Sequence, residues 1–169
     1  MVETLSPRQH FLEALGREHE RTMRVLRAYP EDKSDFTPHP KSPSALDLAW
    51  KLVLGHGLMV KALTTGFDWS NPGKSPKPPG TIAEIAGAVE REHGRVVETL
   101  RSVDEARLGT DTVKFFVAPK TLGDYTKHDF LWFLLFDHVH HRGQFSVYQR
   151  MAGGKIPSIY GPSGDEPWM

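Results

Sequence analysis

The chain contains no cysteine among its 169 residues. Disulfides and thiolate metal ligands are therefore excluded, and any thiol chemistry needs an external thiol. Neither sign of charge is in excess, because 21 Lys and Arg residues balance 21 Asp and Glu residues. That balance gives no electrostatic reason to expect nucleic acid or an anionic membrane as a partner.

Long apolar runs are also missing. No uninterrupted apolar segment approaches the roughly 18 residues of a membrane span, and no apolar stretch follows a basic start as in a signal peptide. We therefore expect a cytoplasmic protein. The rest of the composition, with 38% apolar and 25% charged residues, is ordinary for a globular protein. The length suits a single domain over residues 1–169.

Apolar periodicity and capping signals predict four long helices. They cover residues 7–29, 45–65, 82–101 and 127–151. Each follows a residue whose hydroxyl can cap the first turn, namely Ser6, Ser44, Thr81 and Thr126. Four amphipathic helices of about 20 residues predict an all-α protein built as a four-helix bundle.

Three segments outside the helices have distinctive compositions. Residues 71–80 are rich in Pro and Gly and predict a mobile loop. Residues 112–118 predict a short strand or extended segment. Residues 156–168 carry Ile159, Tyr160 and Trp168 among Gly and Pro residues, and we expect this tail to pack on the bundle.

Polar residues interrupt the apolar stripes near the middles of the predicted helices. A helix of about 20 residues is about 30 Å long, so the middles of four packed helices lie at one level. Projection at about 100° per residue places four residues on inward faces, namely His56, His93, Asp137 and His141. Polar side chains are costly in a core without a partner or an ion. The cluster is therefore interpreted either as a hydrogen-bonded network or as a metal site.

Asp137 and His141 are four residues apart and share one helical face. First-row metals accept carboxylate and imidazole ligands, so Zn²⁺, Ni²⁺, Fe²⁺ and Mn²⁺ all suit a site of this kind. Arg142 and Gln144 adjoin these residues and could orient a substrate or support the ligands. Arg142 could equally lie on a solvated face or pair with the first helix.

The other candidate polar residues are expected outside the site. We expect Glu18 at the wet edge of the bundle. His138 and His140 flank the line of Asp137 and His141, and we expect them beside the ligands or at the surface. The remaining histidines are expected at the surface or in loops, namely His10, His19, His39 and His128.

The fourth predicted helix is apolar on a second side. That side carries Trp132, Phe136, Val139, Gly143 and Val147. A helix that is apolar on two sides is buried on two sides. The C-terminal tail or a second subunit would supply the cover, and a homodimer through this region is therefore a hypothesis.

The last predicted helix and the tail resemble a known family. The segment 140–144, with the sequence HHRGQ, followed by Ser146, Tyr148 and Arg150, resembles the last helix of the DinB (damage-inducible) superfamily. Residues 155–165 look like the tail of one DinB subgroup. The resemblance implies a DinB/YfiT-like four-helix bundle with up-down-down-up topology, usually dimeric.

The same resemblance implies a chemistry. Family members often hold a divalent metal on three histidines, one from the second helix and two from an H-x-x-x-H pair in the last. Characterised members include transferases and isomerases that use low-molecular-weight bacterial thiols. For this chain the resemblance implies metal-dependent activation of an external thiol or water for transfer to a small electrophile.

The chain departs from the family pattern at two positions. Asp137 stands at the first position of the H-x-x-x-H pair, and Lys51 aligns with the histidine of the second helix. His56 lies five residues later on the predicted core stripe. We therefore expect His56, Asp137 and His141 to hold the metal, with His93 as an additional ligand.

Two alternatives to an enzyme remain. One is a non-catalytic, stress-associated dimer whose metal site is degenerate, which an inward-pointing Lys51 would favour because its charge repels a cation. The other is a protein that binds a ligand in the same cavity without turning it over.

Overall fold

A computed structural model describes residues 4–70 and 73–169. Parts of two predictions, the loop at 71–80 and the absence of a signal peptide, fall on residues 71–72 and 1–3, which lie outside the described residues. The elements in chain order are helix α1 (Pro7–Arg27), a 3-10 turn (Glu31–Lys33), helices α2 (Ala45–Leu63), α3 (Ile82–Ser102) and α4 (Glu105–Leu108), strands β1 (Thr112–Ala118) and β2 (Thr121–Thr126), and helix α5 (Lys127–Met151).

Each long helix begins where its capping signal predicts. The hydroxyl of Ser6 accepts a hydrogen bond from the amide of Gln9, and the amide of Ser6 donates to the Gln9 side chain at 2.8 Å. The residues before α2, α3 and α5 accept from the third residue of their helices in the same way. The predicted helix starts are confirmed. The fourth predicted helix is α5, since a one-turn helix precedes the hairpin.

The all-α prediction needs one addition, a β-hairpin before α5. β1 and β2 pair antiparallel, with Thr112 opposite Thr126. The sequence predicts β1 with its observed bounds. It does not predict β2, because Gly123 and Asp124 have low strand propensity. Within the described residues the fold is therefore mostly helical, with a small two-stranded sheet.

The long helices pack against one another in pairs. α2 contacts α3 and α5, and α1 also contacts α3 and α5. α1 and α3 run antiparallel, because Arg8 at the start of α1 donates to the carbonyl of Val103 after the end of α3. No helix in the described part of the chain is both long enough and apolar enough to cross a membrane.

Two apolar clusters fill the interior on either side of a polar level. One cluster includes Met23, Leu52, Val89 and Phe145, and the other includes Leu15, Met59, Val96 and Leu135. Along each long helix, the passage from one cluster to the other crosses buried or half-buried polar side chains. We call them the polar layer, which consists of His19, His56, His93, His138 and Arg142.

The C-terminal tail makes contacts with α1 and α5. Arg21 of α1 donates to the carbonyl of Ile159 at 3.2 Å. Arg24 pairs with Glu166 at 2.7 Å, and Arg150 of α5 pairs with the tail residue Asp165. These contacts bring the tail over one end of the polar layer.

Candidate metal centre

Three histidines of the polar layer converge from three helices, His19 from α1, His56 from α2 and His93 from α3. One ring nitrogen from each lies within 4.8 Å of the other two. The rings of His19 and His93 stack at 3.8 Å with 12° between their planes. His56 meets His93 edge-on, at 6.0 Å between ring centroids. We call these three residues the histidine cluster.

Each ring of the histidine cluster has a buried nitrogen without a hydrogen-bond partner among the described residues. These atoms are Nδ1 of His19, Nε2 of His56 and Nδ1 of His93. An unpartnered polar atom in a core is costly. A cation is one partner that could accept lone pairs from these rings.

The opposite nitrogen of two rings faces a neighbouring oxygen, within hydrogen-bond distance only in His56. Nδ1 of His56 lies 2.8 Å from the carbonyl oxygen of Leu52. Because a carbonyl only accepts, Nδ1 carries the proton and Nε2 keeps its lone pair. Nε2 of His19 lies 3.7 Å from the carboxylate of Glu90. Metal-bound histidines are oriented by carbonyls and carboxylates in this manner.

Burial keeps the histidine cluster neutral. Loss of hydration lowers the pKa of His56 to about 4. Burial also lowers the pKa of His93 to about 4, and the neighbouring His19 acts in the same direction. Burial lowers the pKa of His19 as well, against the opposing effect of Glu90. At neutral pH a metal therefore finds free lone pairs and displaces no proton from these rings.

The space beside the histidine cluster is small. A cavity of about 10 Å³ is lined in part by His19, His56 and His138, which is about the room that one water molecule or ion needs. Nitrogens bound to one tetrahedral Zn²⁺ lie about 3.4 Å apart, so a separation of 4.8 Å between two ring nitrogens would have to close by about 1.4 Å. The donor atoms and their protonation suit a divalent metal, and the stacked rings of His19 and His93, whose planes are 12° apart, would have to turn so that both in-plane lone pairs point at one ion.

The residues predicted to hold the metal lie in two places. His56 and His93 belong to the histidine cluster. Asp137 and His141 pair with each other, with Nε2 of His141 3.3 Å from the carboxylate. The hydrogen bond from His141 is the main reason why the pKa of Asp137 is lowered, and the charge of Lys51 acts in the same direction. The set His56, Asp137 and His141 stays a prediction.

Near the middle of α5, the buried positions are shifted by about one residue from those predicted by the projection, so that His138 and Arg142 face inward instead of Asp137 and His141. Its buried residues near the middle are Leu131, Leu134, Leu135, His138, Arg142 and Phe145. His138 is only 5% exposed, so it is not a surface residue, and its ring lies 4.4 Å from that of His56. Gln144, predicted to support the ligands, is exposed and lies 3.2 Å from Nδ1 of His141.

His19 corrects another expectation. The sequence predicts it at the surface or in a loop, but its side chain lies in helix α1 and is only 9% exposed. His19 follows Leu15 and precedes Met23 by four residues each, so it lies on the buried stripe of α1. That spacing is the signal in the sequence that identifies it.

Arg142 is 2% exposed and pairs with the first helix, one of the two placements that the sequence left open. Its guanidinium lies 2.7 Å from the carboxylate of Glu18 and donates to the hydroxyl of Tyr160 at 2.5 Å. Tyr160 donates in turn to Glu18 at 2.6 Å. Burial acts to raise the pKa of Glu18, but these hydrogen bonds outweigh it and lower that pKa. Glu18 is thus enclosed, and the expectation of a wet edge was wrong.

The fold and the site together define a mostly helical protein with a buried histidine centre between two apolar clusters. The sequence profile of the DinB family matches residues 1–168. The chain therefore belongs to the DinB family, which confirms the resemblance found in its last helix and tail.

Individual relatives agree with this assignment. The uncharacterized protein YrdA of Bacillus subtilis (strain 168) is 24% identical over 166 residues, which cover 98% of this chain and 93% of YrdA. A DinB-like protein from Bacillus cereus ATCC 10987 superposes with a TM-score of 0.73 at 24% identity, over 89% of this chain and 95% of that one. The DinB-like protein YjoA from Bacillus subtilis gives 0.69 at 17% identity, over 89% and 97%. At these identities the likeness establishes a shared fold.

Proposed function

We propose that this chain is a metal-dependent DinB enzyme whose divalent ion is held by His19, His56 and His93. The proposal is carried by three neutral rings whose nitrogens lie within 4.8 Å of one another and include three unpartnered atoms. The proposed architecture is the up-down-down-up four-helix bundle of the family, with one ligand from each of three helices. Imidazole ligands suit Zn²⁺, Ni²⁺ or Fe²⁺ better than Mn²⁺.

The proposed reaction is transfer or isomerisation of a small electrophile. A divalent ion with three imidazole ligands and an open position supplies Lewis acidity, which lowers the pKa of a bound water or thiol. Because the chain has no cysteine, the thiol would be an external, low-molecular-weight thiol of the cytoplasm. The chain's own part is to orient the rings through Leu52 and Glu90 and to exclude water with the surrounding apolar clusters.

A non-catalytic, stress-associated protein is the second candidate. The observation that favours it is the pairing of Asp137 with His141, beside the charge of Lys51. These residues occupy the positions at which the family pattern has metal-binding histidines, and they compensate one another's charge without an ion. In this alternative the polar layer is a structural network.

Elemental analysis after incubation with Zn²⁺ or Ni²⁺, on protein purified without an affinity tag, tests the metal centre. We expect about one equivalent of metal in the wild type. His56→Ala and His93→Ala should each reduce it to below about a tenth, since a centre with three protein ligands binds its ion far more weakly when one of them is lost. Asp137→Ala and His141→Ala should leave it unchanged. His39→Ala, at an exposed position, controls for loss of a histidine as such.

Two results would contradict this assignment. If metal is retained in His93→Ala but lost in Asp137→Ala and His141→Ala, the ion is bound by the residues predicted from the sequence, Asp137 and His141 with His56. If the wild-type protein takes up no metal, the metal-dependent enzyme is excluded and the non-catalytic alternative is supported.

We also propose that the protein forms a homodimer through the outer apolar face of α5. Phe136 is 64% exposed and Val147 is 57% exposed on this face. A Cβ on Gly143 would meet no atom within 4 Å, so the backbone of a partner can approach closely. Burial of such apolar surface is the usual stabilising force in homodimers.

Size-exclusion chromatography with light scattering tests the dimer. We expect twice the mass of the chain for the wild type, and a shift towards the monomer for Phe136→Ser. Val117→Ser removes a similarly exposed apolar side chain from the hairpin and should leave the mass unchanged. A monomeric wild type at about 100 μM would exclude the dimer, since stable homodimers persist well below that concentration.

A further inference from the structure

A groove follows the contact between α1 and α3 and ends beside the histidine cluster. Its volume is about 440 Å³, within the range of about 300–1,000 Å³ that is typical of small-molecule sites. Its lining includes the apolar side chains of Met23, Leu26 and Ala86. Glu90 lines the groove and also lies 3.7 Å from His19. One end of the groove therefore reaches the outer side of the proposed metal centre.

The groove lining carries one unpaired charge towards each end, and the two are opposite in sign. Because α1 and α3 are antiparallel, Glu31, which follows α1, lies at the end where α3 begins. Arg91 lies further along α3, about 13 Å from Ile82 along the helix axis, next to Glu90. Among the described residues, neither Glu31 nor Arg91 has an ion-pair partner, whereas Arg27 in the same lining pairs with Glu90 at 3.4 Å.

The guanidinium of Arg91 lies over Gly87. Nη1 of Arg91 is 3.5 Å from the position that a Cβ on Gly87 would take, and apart from the chain neighbours and the backbone of the same helix no other heavy atom of the described residues lies within 4 Å of that position. The groove is therefore open above Gly87, with a cation at its edge. An unpaired guanidinium beside apolar surface is suited to bind a carboxylate through two parallel hydrogen bonds.

We propose that this groove binds a small amphipathic monoanion, with its carboxylate at Arg91 and its apolar body on Met23, Leu26 and Ala86. Glu31 at the far end repels a second anionic group, which selects against dianions of the same length. As a statement about the substrate, the inference rests on the proposed function. The electrophilic carbon would then lie close to the carboxylate, because that end of the groove adjoins His19. Binding itself needs no metal.

Octanoate, suberate and 1-octanol are probes of equal carbon number that test this groove by isothermal titration calorimetry on metal-free protein. We expect octanoate to bind, and suberate to bind at least about tenfold more weakly because its second carboxylate faces Glu31. Arg91→Gln should weaken octanoate binding by about tenfold and leave 1-octanol binding within about twofold. Arg101→Gln, exposed on the same helix, is the matched control.

A second pair of variants tests the open space of the groove rather than its charge. Gly87→Leu should abolish the binding of both octanoate and 1-octanol, because the new side chain fills the open space. A Cβ on Gly94 of the same helix would meet no atom within 4 Å, so Gly94→Leu should leave both affinities unchanged. Both substitutions favour the helix, and thermal melts followed by circular dichroism would verify that both variants are folded.

Failure of the groove and failure of the metal centre give different results. Absence of octanoate binding to the wild type at a few millimolar, or equal octanoate affinity in wild type, Arg91→Gln and Gly87→Leu, would overturn the groove. Zinc binding in Arg91→Gln should be unchanged, and octanoate affinity in His56→Ala should stay within about twofold. Octanoate binding without zinc binding would contradict only the proposed metal centre.

Discussion

Close packing in the polar layer requires a glycine at position 55. A Cβ at this position of α2 would overlap Nε2 of His138 and lie 2.8 Å from its Cδ2. His138 is buried, and its ring is also packed against His56. The ring therefore has little freedom to move away, and α2 and α5 can approach closely only because Gly55 has no side chain.

Gly55→Ala should lower the free energy of unfolding by about 1–3 kcal/mol, because overpacking outweighs the better helix propensity of alanine. Gly57→Ala in the same helix is the matched control. A Cβ there would meet no atom within 4 Å, so this substitution should raise the free energy of unfolding by about 0.5–1 kcal/mol. Urea denaturation measures both, and equal effects would show that His138 does not press on Gly55.

At the scale of elements, α1, α5 and the tail are joined through one buried ion pair. Arg142 and Glu18 are both largely removed from solvent, and Tyr160 hydrogen-bonds to both. Removing one partner of a buried pair leaves the other charge uncompensated, which costs more than the pair itself contributes.

Arg142→Met should therefore lower the free energy of unfolding by about 3–5 kcal/mol. The double variant Glu18→Gln with Arg142→Met should recover part of that loss, because no lone charge remains. Arg150→Met breaks the exposed pair with Asp165 and should cost no more than about 1 kcal/mol. Chemical denaturation of the four proteins tests this, and similar losses for Arg142→Met and Arg150→Met would refute the argument.

The sequence predicts helix starts well because a cap is a local hydrogen bond between residues three apart, as in Ser6 and Gln9. His56 and His93 are found because they interrupt clean apolar stripes. The orientation of α5 is harder, since that helix is apolar on two sides and its periodicity does not distinguish the core side. Arg142 can be buried there because Glu18 of α1 pairs with it. Such a contact between distant residues cannot be read from the local sequence pattern.

At the scale of the whole molecule, buried neutral histidines make stability depend on pH. Folding lowers the pKa of His56 from the usual 6.5 to about 4, and His93 behaves alike. Between these two pH values the unfolded chain binds more protons than the folded one, so stability falls as the pH falls through this window. For His56 the full effect is of the order of 3 kcal/mol.

Metal-free wild type should therefore be most stable above about pH 6.5 and lose stability steadily down to about pH 4. His56→Leu should have a shallower pH dependence, because one of the titrating groups is gone. His10→Leu, at an exposed position, should keep the slope of the wild type. Urea midpoints across pH 4–8 measure these slopes, and parallel curves for all three proteins would contradict the burial argument.

The three residues of the histidine cluster stand at equal intervals along the chain, at positions 19, 56 and 93. An ion held by all three would close two loops of equal length and act as a reversible cross-link between helices, in a chain that has no cysteine for a covalent one. At a free ion concentration of about 100 times its dissociation constant, that link would add about 2.7 kcal/mol to stability. The amount of folded protein in a cell would then follow the supply of the metal.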